Sequence, residues 1–580
     1  MRQHSRPLLA AFASLLLAPA LTAQCGTTVT TPVSNTTWTL AGSPYCVNAT
    51  VQVSRLTIQP GVEVRLAAGV SLQVSTWLRA LGTRTQPIRF QAQNLGAGRW
   101  GGIEFIGPVA AGNPSQLLHC IVTQAGNSGI RILDNEQVLL ERCWIHDNTS
   151  PLDGGGLRIE LTAGTVRALD CDIEGNRAGR NGGGVRVATV GGGRVVLTRC
   201  RIRGNLANAS NVGAVAAEGG GVRASGTLEL EGCHVADNAL SAFGCNAPPA
   251  RGGGLSLSDG SHVLRNSLIS GNRCWTSGCG GVNEGGGLYA ASTVPSLLVA
   301  NCLLSCNSTT ANTSSTTLQG SGISTLAATT RMENCTIARN VPEGVRIGAG
   351  SATILNTIVF EHAAGSVVGT AAVSYSDIQG GWIGGTGNVR FNPAFVGSGC
   401  QPEHFTLNSS SPCIDAGDPA VASNDACLPP AQGGPRNDMG AHGGPGSCGF
   451  AGPALSLCGA QTYGELRQGN DAMTLDWTAL SAQAPFTGRL DLAQGAPSSP
   501  GLLLLSGNPA ELALSGITLL VGASSVGVVP IALDGAGAFR VSFDLQITVL
   551  VGVPLFFQGF SLPASGAIRA SNGLRLAPCF

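Results

Sequence analysis

The sequence contains no lysine, so all 33 of its basic residues are arginine. This absence excludes Schiff-base chemistry and catalysis by a lysine base, and it leaves arginine as the only permanent cation. Charged residues of either sign are scarce, at 11%, and the formal net charge is zero. Because there is no basic excess and no basic run, the composition argues against a nucleic-acid partner.

Long apolar runs are also missing beyond the amino terminus. No segment after residue 23 reaches the roughly 18 uninterrupted apolar residues that a membrane helix needs. Residues 1–23 combine two arginines with an apolar stretch and end at Ala23, which predicts a secretory signal. The expected location is therefore secreted or at the cell surface.

What the sequence has instead is a repeat with a period near thirty residues. Each copy holds a glycine run, an apolar strand and a second strand of the form Cys-x-Ile/Val-x-x-Asn, as in Cys143–Asn148. Further copies of the second strand are Cys171–Asn176, Cys200–Asn205, Cys233–Asn238, Cys302–Asn307 and Cys335–Asn340, with Ser267–Asn272 as a serine variant. The pattern has no helical periodicity, so it predicts an all-β solenoid whose short strands stack in parallel.

The repeated residues are interpreted as scaffold. The in-phase cysteines are expected to form a buried internal stack, because adjacent parallel strands offer poor disulfide geometry. They are also too widely spaced along the chain for a metal site, so no metal is predicted. The closing asparagine suits a turn, where it bonds the backbone and tolerates a left-handed conformation. The glycines permit either a close backbone approach or a sharp corner.

These repeats resemble the right-handed parallel β-helix repeats of the pectate-lyase-like superfamily. Upstream, Leu56–Val64 and Trp100–Ile103 resemble the amino-terminal coils of secreted bacterial β-helix proteins. Downstream, Asn392–Phe395 and Ser411–Asp418 resemble the "choice-of-anchor Q" segment that closes many such helices. The resemblance implies a right-handed parallel β-helix with a closing segment.

After the closing segment the repeat vanishes and short strands separated by glycine and proline turns follow. The alternation in Ala538–Phe543 predicts a small antiparallel β-sandwich, bracketed by Cys458 and Cys579 as candidates for a disulfide. The predicted organisation is a signal at 1–23, amino-terminal coils at 24–99, parallel β-helix repeats at 100–391, a closing segment at 392–448 and the sandwich-like module at 455–580.

Strand alternation also predicts which side chains point outward. In the glycine-led strands the outward residues form a column: Glu104, Arg131, Arg158, Arg186, Arg223, Ser256, Tyr289, Ser324 and Arg346. Like charges on neighbouring strands are unfavourable by a few tenths to about 1 kcal/mol per pair, so the four arginines need compensation. Two alternatives remain open: carboxylates of the protein, such as Glu160, or an anionic polymer held by guanidinium forks.

The cysteine-led strands are expected to expose a second face. Its outward residues are Trp144, His146, Asp172, Glu174, Arg201, Arg203 and His234. One interpretation is a ladder of cross-strand salt bridges, each worth little. The other is a sugar site. The candidate ligand-binding residues are accordingly Trp144, His146, Arg131, Arg158, Arg186, Arg223 and Tyr289.

Long connections leave the middle repeats at one corner, at 206–218, 239–251, 273–284 and 308–319. They are expected to stack as a wall of loops, in which binding function tends to lie. Cys245, Cys274, Cys279 and Cys306 lie in or beside this wall and are candidates to cross-link it.

The superfamily includes lyases, hydrolases and epimerases of acidic polysaccharides, but the polygalacturonase and mannuronan-epimerase signatures are absent from this sequence. The remaining catalytic candidates are Asp172, Glu174, Arg201 and Arg203, with an arginine base and calcium. We expect a non-catalytic protein, without a cofactor, that binds a polysaccharide or cell-envelope glycan or has a structural or adhesive role. The alternative is a calcium-assisted polysaccharide lyase acting on an acidic polysaccharide.

Overall fold

A computed structural model describes residues 25–450 apart from 108–111, 113, 136, 211–215, 244–248, 278–280, 313–315 and 429, and it describes the strands between residues 459 and 577. The chain divides into two compact units, one formed by Thr28–Gly82 with Ile88–Leu455 and another that includes Ser456–Phe580. Among the described residues, no helix is long and apolar enough to cross a membrane.

The first unit is a solenoid whose coils each contribute a glycine-led, a middle and a cysteine-led strand. The cysteine-led sheet has 14 parallel strands: Thr27–Val29, Tyr45–Val47, Glu63–Leu66, Ile88–Ala92, Cys120–Thr123, Trp144–His146, Asp172–Glu174, Arg201–Arg203, His234–Ala236, Leu268–Ser270, Leu303–Ser305, Thr336–Ala338, Ile358–Phe360 and Asp377–Ile378. Its inward side chains, such as Ile173 and Ile202, are fully buried. They form the continuous apolar core that a stack of coils requires.

The glycine-led and middle strands belong to one sheet, because the long strand Ser71–Leu81 pairs with the first strand of both types at the amino-terminal end of the solenoid. Two earlier strands of this sheet, Thr36–Trp38 and Val51–Ile58, precede Ser71–Leu81 in the chain. The glycine-led strands are Gly102–Ile106, Ile130–Leu133, Leu157–Leu161, Val185–Thr189, Val222–Ser225, Leu255–Ser258, Leu288–Ala290, Ile323–Thr325, Val345–Ile347 and Val367–Val368. The middle strands are Ser115–Leu118, Val138–Glu141, Thr165–Leu169, Arg194–Thr198, Thr227–Glu231, His262–Arg265, Leu297–Ala300, Thr329–Glu333, Ser351–Leu355 and Ala372–Ser374.

The long connections stack into a wall as predicted, but the wall is built from strands rather than loops. Six of these strands form a first extension sheet: Thr149–Ser150, Arg177–Ala178, Leu206–Ser210, Ala239–Phe243, Arg273–Ser277 and Ser308–Ala311. Four form a second extension sheet: Ala217–Glu218, Ala250–Arg251, Gly281–Glu284 and Thr316–Gln319. Small buried residues such as Ala207 and Ala250 pack together in a separate cluster, which lets two thin sheets lie close to each other.

The cysteines of these extension sheets do not follow the predicted pattern. Cys274 is buried with a free thiol, and Cys306 is bonded to Cys400 rather than to a cysteine of the wall. Cys245 and Cys279 lie outside the described residues. The in-phase cysteines are buried and free, which confirms that they pack as small side chains.

The closing asparagines form a continuous buried ladder. Asn205 Nδ2 donates to Asn238 Oδ1 at 2.9 Å, and Asn238 Nδ2 donates to Asn272 Oδ1 at 3.0 Å. The same pattern joins Asn148, Asn176, Asn205, Asn238, Asn272, Asn307 and Asn340. The expected left-handed conformation falls on the residue before each asparagine, for example Asp147 or Asp237, because the asparagine itself turns inward.

The glycine triplets serve both purposes that the sequence left open. Gly219 opens its triplet with φ of 69°, the left-handed corner that favours glycine. Gly221 closes it, and a Cβ there would lie 2.8 Å from Asn238 Nδ2. Thus the first glycine makes the corner, and the third makes room for the asparagine ladder.

Residues 395–441 pack back over the outer face of the last cysteine-led strands. Leu268, Leu303 and Ala338 point outward there, yet they are buried in one cluster with Phe405 and Ala441. The disulfide Cys306–Cys400 and hydrogen bonds from Arg339 to the carbonyls of Gly397 and Gly399 tie this segment to the solenoid. This segment contains the 3-10 helices Pro402–Phe405 and Val421–Ser423. Elsewhere in the described residues the 3-10 helices are Leu40–Gly42, Leu95–Ala97 and Ser447–Phe450.

The second unit is built from antiparallel strands, and the predicted fold class is confirmed for both parts of the chain. Its strands are Gly459–Tyr463, Thr474–Ala479, Phe486–Ala493, Pro500–Ser506, Pro509–Leu514, Ile517–Val521, Gly527–Ala532, Phe539–Leu545, Leu555–Ser561 and Arg569–Ala577. Cys458 and Cys579 lie outside the described residues.

Candidate functional site

The predicted arginine column is present in the expected register. Arg131 pairs with Arg158, Arg158 with Arg186 and Arg186 with Arg223 on successive glycine-led strands. The column continues through Ser256, Tyr289, Ser324 and Arg346, and it begins at Glu104. Parallel neighbours lie about 4.8 Å apart, so the column places one outward side chain per strand along the solenoid axis. Ser256 and Ser324 are only 1% exposed and Glu104 is 7% exposed, so the prediction that these three face solvent is wrong.

Carboxylates of the protein compensate much of this charge. Arg131 contacts Glu104 at 2.9 Å. Arg158 Nε donates to Glu160 Oε1 at 2.7 Å, as the sequence suggested. Arg223 forms an ion pair with Glu218, which belongs to the second extension sheet. Of the two alternatives for the column, compensation by the protein's own carboxylates therefore accounts for these three arginines.

Arg186 and Arg346 are the column arginines without a close carboxylate, since Arg346 lies 3.8 Å from Glu343. For Arg186 the closest carboxylate is that of Asp153, with Nε 3.9 Å from Oδ2, and Asp153 makes a closer pair with Arg180 at 2.7 Å. The Arg186 guanidinium also donates to the carbonyl of Val187. Burial, followed by the neighbouring charge of Arg223, lowers the pKa of Arg186 to about 10. Its side chain still keeps 19% of its surface exposed.

The residue that precedes each glycine triplet differs in charge between these coils. Asp153 and Glu218 occupy this position in the coils of Arg158 and Arg223, and each carboxylate lies next to the arginine column. In the coil of Arg186 the position is held by Asn181, which pairs with Asp153 on the neighbouring strand. Asn181 is neutral, so it supplies no charge to Arg186.

Tyr289 does not lie open to solvent as predicted. It occupies the outward column, but it is only 2% exposed because the Arg251 guanidinium lies over its ring, 4.9 Å from the centroid. Arg251 also bonds Glu284 at 3.0 Å. Both of these charged residues belong to the second extension sheet, so a side chain of that sheet covers the column at this point.

The outward residues of the cysteine-led strands also have the predicted register. Asp172 pairs with Arg201 and Glu174 with Arg203, and the salt-bridge distances are 3.6 and 3.2 Å. Burial, followed by the charges of Arg201 and Arg203, lowers the pKa of His234 to about 3, so this imidazole is neutral. Both carboxylates engage a guanidinium, an arrangement that matches a cross-strand salt-bridge ladder.

Trp144 and His146 lie on the same face, one strand earlier. Their rings stack with centroids 3.6 Å apart, and His146 Nδ1 lies 2.9 Å from Asp147 Oδ2. Trp144 is 6% exposed, so the prediction that it faces solvent is wrong. Within the described residues, no group of three or more histidine, cysteine or acidic side chains is placed to hold a metal ion.

One group of surface residues was missed from the sequence. Trp275 and Phe243 lie on the outer face of the first extension sheet, with ring centroids 5.1 Å apart. Buried and partly exposed residues alternate along Ala239–Phe243 and Arg273–Ser277 in the structure. The residue types in these two short segments do not alternate strictly between apolar and polar, so the sequence pattern gave no clear signal for a strand.

Solved structures that are similar to this chain include a pectate lyase and a phage tailspike protein. A crystal structure of pectate lyase Pel9A is 14% identical, with a TM-score of 0.30 and an alignment that covers 66% of this chain and 88% of that chain. The enzymatically active domain of Bacteriophage CBA120 tailspike protein 4 is 11% identical, with a TM-score of 0.17 and coverage of 92% of this chain and 63% of that chain. No family model matches the sequence, and no curated protein matches it. The assignment of the parallel β-helix rests on the strand pairing of the chain itself.

Proposed function

We propose that this protein is an extracellular, non-catalytic β-helix protein that binds an acidic polysaccharide along the arginine column. The observation that carries the proposal is Arg186, a partly exposed guanidinium between Arg158 and Arg223 whose closest carboxylate lies 3.9 Å away. An anionic group of a polymer provides the close partner that Asp153 does not. A charge-assisted, bidentate contact of this kind favours both binding and orientation.

Secretion or attachment at the cell surface belongs to the same proposal. The predicted signal at residues 1–23 supports it, and so do the disulfides Cys306–Cys400 and Cys427–Cys448, which are typical of oxidising compartments. The assignment of residues 392–448 to the choice-of-anchor Q type is likewise a proposal. A structural or adhesive role follows if the bound polymer is a cell-envelope glycan.

The second candidate is a calcium-assisted polysaccharide lyase. It is favoured by the register that brings Asp172, Glu174, Arg201 and Arg203 together on two neighbouring strands beside the neutral His234. Such an enzyme acts on the same class of polymer, so the two candidates differ in turnover rather than in ligand.

Isothermal titration calorimetry with polygalacturonate, alginate and heparin tests the first candidate. Arg186→Gln is expected to weaken binding about ten- to a hundredfold, since a hydrogen bond to a charged group is worth about 1.5–3 kcal/mol. Arg331→Gln is the matched control, because Arg331 is a 61% exposed arginine that pairs with Glu333 on a middle strand. Equal affinity of the wild type and Arg186→Gln would contradict binding at the column.

The absorbance of unsaturated products, measured on the same polymers with and without calcium, tests the second candidate. We expect no increase in absorbance. A calcium-dependent increase that is lost in Glu174→Gln would establish the lyase and overturn the non-catalytic assignment.

A further inference from the structure

The outer face of the first extension sheet carries an aromatic platform, formed by Trp275 and Phe243. Their rings meet edge to face at 79°, and both remain partly exposed. The residues that alternate with them, such as Ala242 and Cys274, are buried and supply the packing of the sheet. The aromatic rings are therefore not needed for the core, and they add apolar surface on the solvent side.

Polar side chains surround Trp275 in register. Ser241 lies beside it on one neighbouring strand and Thr310 on the other. Because adjacent strands are about 4.8 Å apart, each hydroxyl lies within reach of the edge of a group stacked on the indole. The indole of Trp275, bordered by hydroxyl groups, presents both an apolar face and hydrogen-bonding partners to one ligand.

An arginine completes this surface. Arg273 lies on the same face two residues before Trp275, which places the two Cα atoms about 6.6 Å apart. Its side chain is exposed, and its Nε donates to Thr310 Oγ1 at 3.1 Å. Its hydrogen-bond partner is thus a neutral hydroxyl, whereas Arg131, Arg158 and Arg223 in the column pair with carboxylates. Among the residues that the structure describes, Arg273 forms no salt bridge, so its positive charge is available to an anion.

We propose that this platform binds an acidic pyranose unit of a polysaccharide. The apolar face of the sugar ring stacks on Trp275, the carboxylate of the sugar binds the Arg273 guanidinium, and its hydroxyls bind Ser241 and Thr310. The choice of an acidic sugar rests on the proposed function, but the site is separate from the arginine column and lies on another sheet. The platform recognises the sugar ring by stacking, whereas the arginine column recognises only the charge of the polymer.

Titration calorimetry with a galacturonate trisaccharide and a neutral galactose trisaccharide tests the platform. Trp275→Ala is expected to weaken binding of the galacturonate trisaccharide about five- to tenfold, and Trp275→Phe to retain most of the affinity. Arg273→Gln is expected to weaken binding of the galacturonate trisaccharide and to leave the affinity for the galactose trisaccharide unchanged. Arg331→Gln is the control for removal of a positive charge elsewhere, and circular dichroism verifies that each variant is folded.

The outcomes separate the two proposals. If Arg186→Gln weakens polymer binding while Trp275→Ala leaves trisaccharide affinity unchanged, the platform is refuted and the column stands. If Trp275→Ala weakens binding while Arg186→Gln has no effect, the platform stands and the column is refuted. A wild-type protein that binds neither trisaccharide also overturns the platform. The platform is likewise refuted if Trp275→Ala and Arg331→Gln lose the same amount of affinity for the galacturonate trisaccharide.

Discussion

Replacement of Asn238 by alanine is expected to destabilise the solenoid by about 4 kcal/mol. The side chain is fully buried and makes four hydrogen bonds. Its Oδ1 accepts from the backbone N of Asn205 at 3.0 Å and from Asn205 Nδ2 at 2.9 Å. Its Nδ2 donates to Ile202 O at 2.8 Å and to Asn272 Oδ1 at 3.0 Å. At about 1 kcal/mol for each net hydrogen bond, the sum is about 4 kcal/mol.

The groups left behind raise this cost. A buried donor or acceptor that loses its partner costs about 1–3 kcal/mol, and alanine cannot bond Asn205 or Asn272. A water molecule that enters the vacated space can replace some of these hydrogen bonds, and this lowers the cost of the substitution. The expected value of about 4 kcal/mol is therefore a central figure for a coil in the middle of the ladder.

Urea unfolding followed by far-ultraviolet circular dichroism measures the effect. Asn208→Ala is the matched control, since Asn208 is an exposed asparagine on the outer face of the first extension sheet. We expect the control to change stability by no more than about 0.5 kcal/mol, as is usual for surface positions. If Asn238→Ala shifts the unfolding midpoint no further than Asn208→Ala does, the ladder does not stabilise the coils and the reasoning is refuted.

Three further perturbations probe other parts of the solenoid. Gly221→Ala is expected to destabilise the fold by about 1–3 kcal/mol, because its Cβ would lie 2.8 Å from Asn238 Nδ2, and urea unfolding measures the loss. Cys400→Ser removes the bond to Cys306 across 94 residues and is expected to cost about 2–5 kcal/mol and to speed proteolysis of the closing segment. Burial raises the pKa of Asp438 from 3.8 to about 7, so its contribution to stability is present below about pH 4 and is lost as the pH rises through about 7.

Each of these has a control in the same chain. Gly96→Ala places its Cβ against the flexible side chain of Asn94 alone and is expected to be nearly neutral. Reduction of wild-type protein should reproduce the effect of Cys400→Ser, and similar proteolysis of the oxidised and reduced protein would contradict it. Asp438→Asn is expected to flatten the pH dependence of unfolding between about pH 4 and 7. An unchanged pH profile would show that other carboxyl groups dominate it.

The sequence was sufficient for the register of the solenoid. A period of two along each strand and a repeat near thirty residues determine which residues are neighbours, so the pairs Arg158–Arg186 and Asp172–Arg201 follow without coordinates. The buried cysteines follow for the same reason. These predictions depend on pattern alone, and the structure bears them out.

Exposure was predicted less well, because outward is not the same as exposed. Leu268 and Leu303 point outward, yet the closing segment buries them. Tyr289 points outward beneath Arg251. Apolar residues at outward positions indicate that something covers the face, but the sequence pattern does not say which segment does so. The extension sheets were missed for a related reason, since short strands between variable turns lack a long alternating run.

The position of Asn181 leads to a last prediction about the charge of the arginine column. Asp153 and Glu218 stand before the neighbouring glycine triplets and pair with arginines, whereas Asn181 provides no charge near Arg186. Asn181→Asp adds a carboxylate at this position while keeping the oxygen that accepts from Glu218 N at 2.9 Å. The new ion pair is expected to occupy Arg186 and to weaken polysaccharide binding about as much as Arg186→Gln does, with stability changed by less than about 1 kcal/mol. Calorimetry on the polymer that binds the wild type measures this, and Asn48→Asp, at an exposed asparagine of the amino-terminal coils, controls for an added negative charge. Full binding by Asn181→Asp would show that Arg186 is not the contact, because a closely paired guanidinium and a loosely paired one would then bind the polymer equally well.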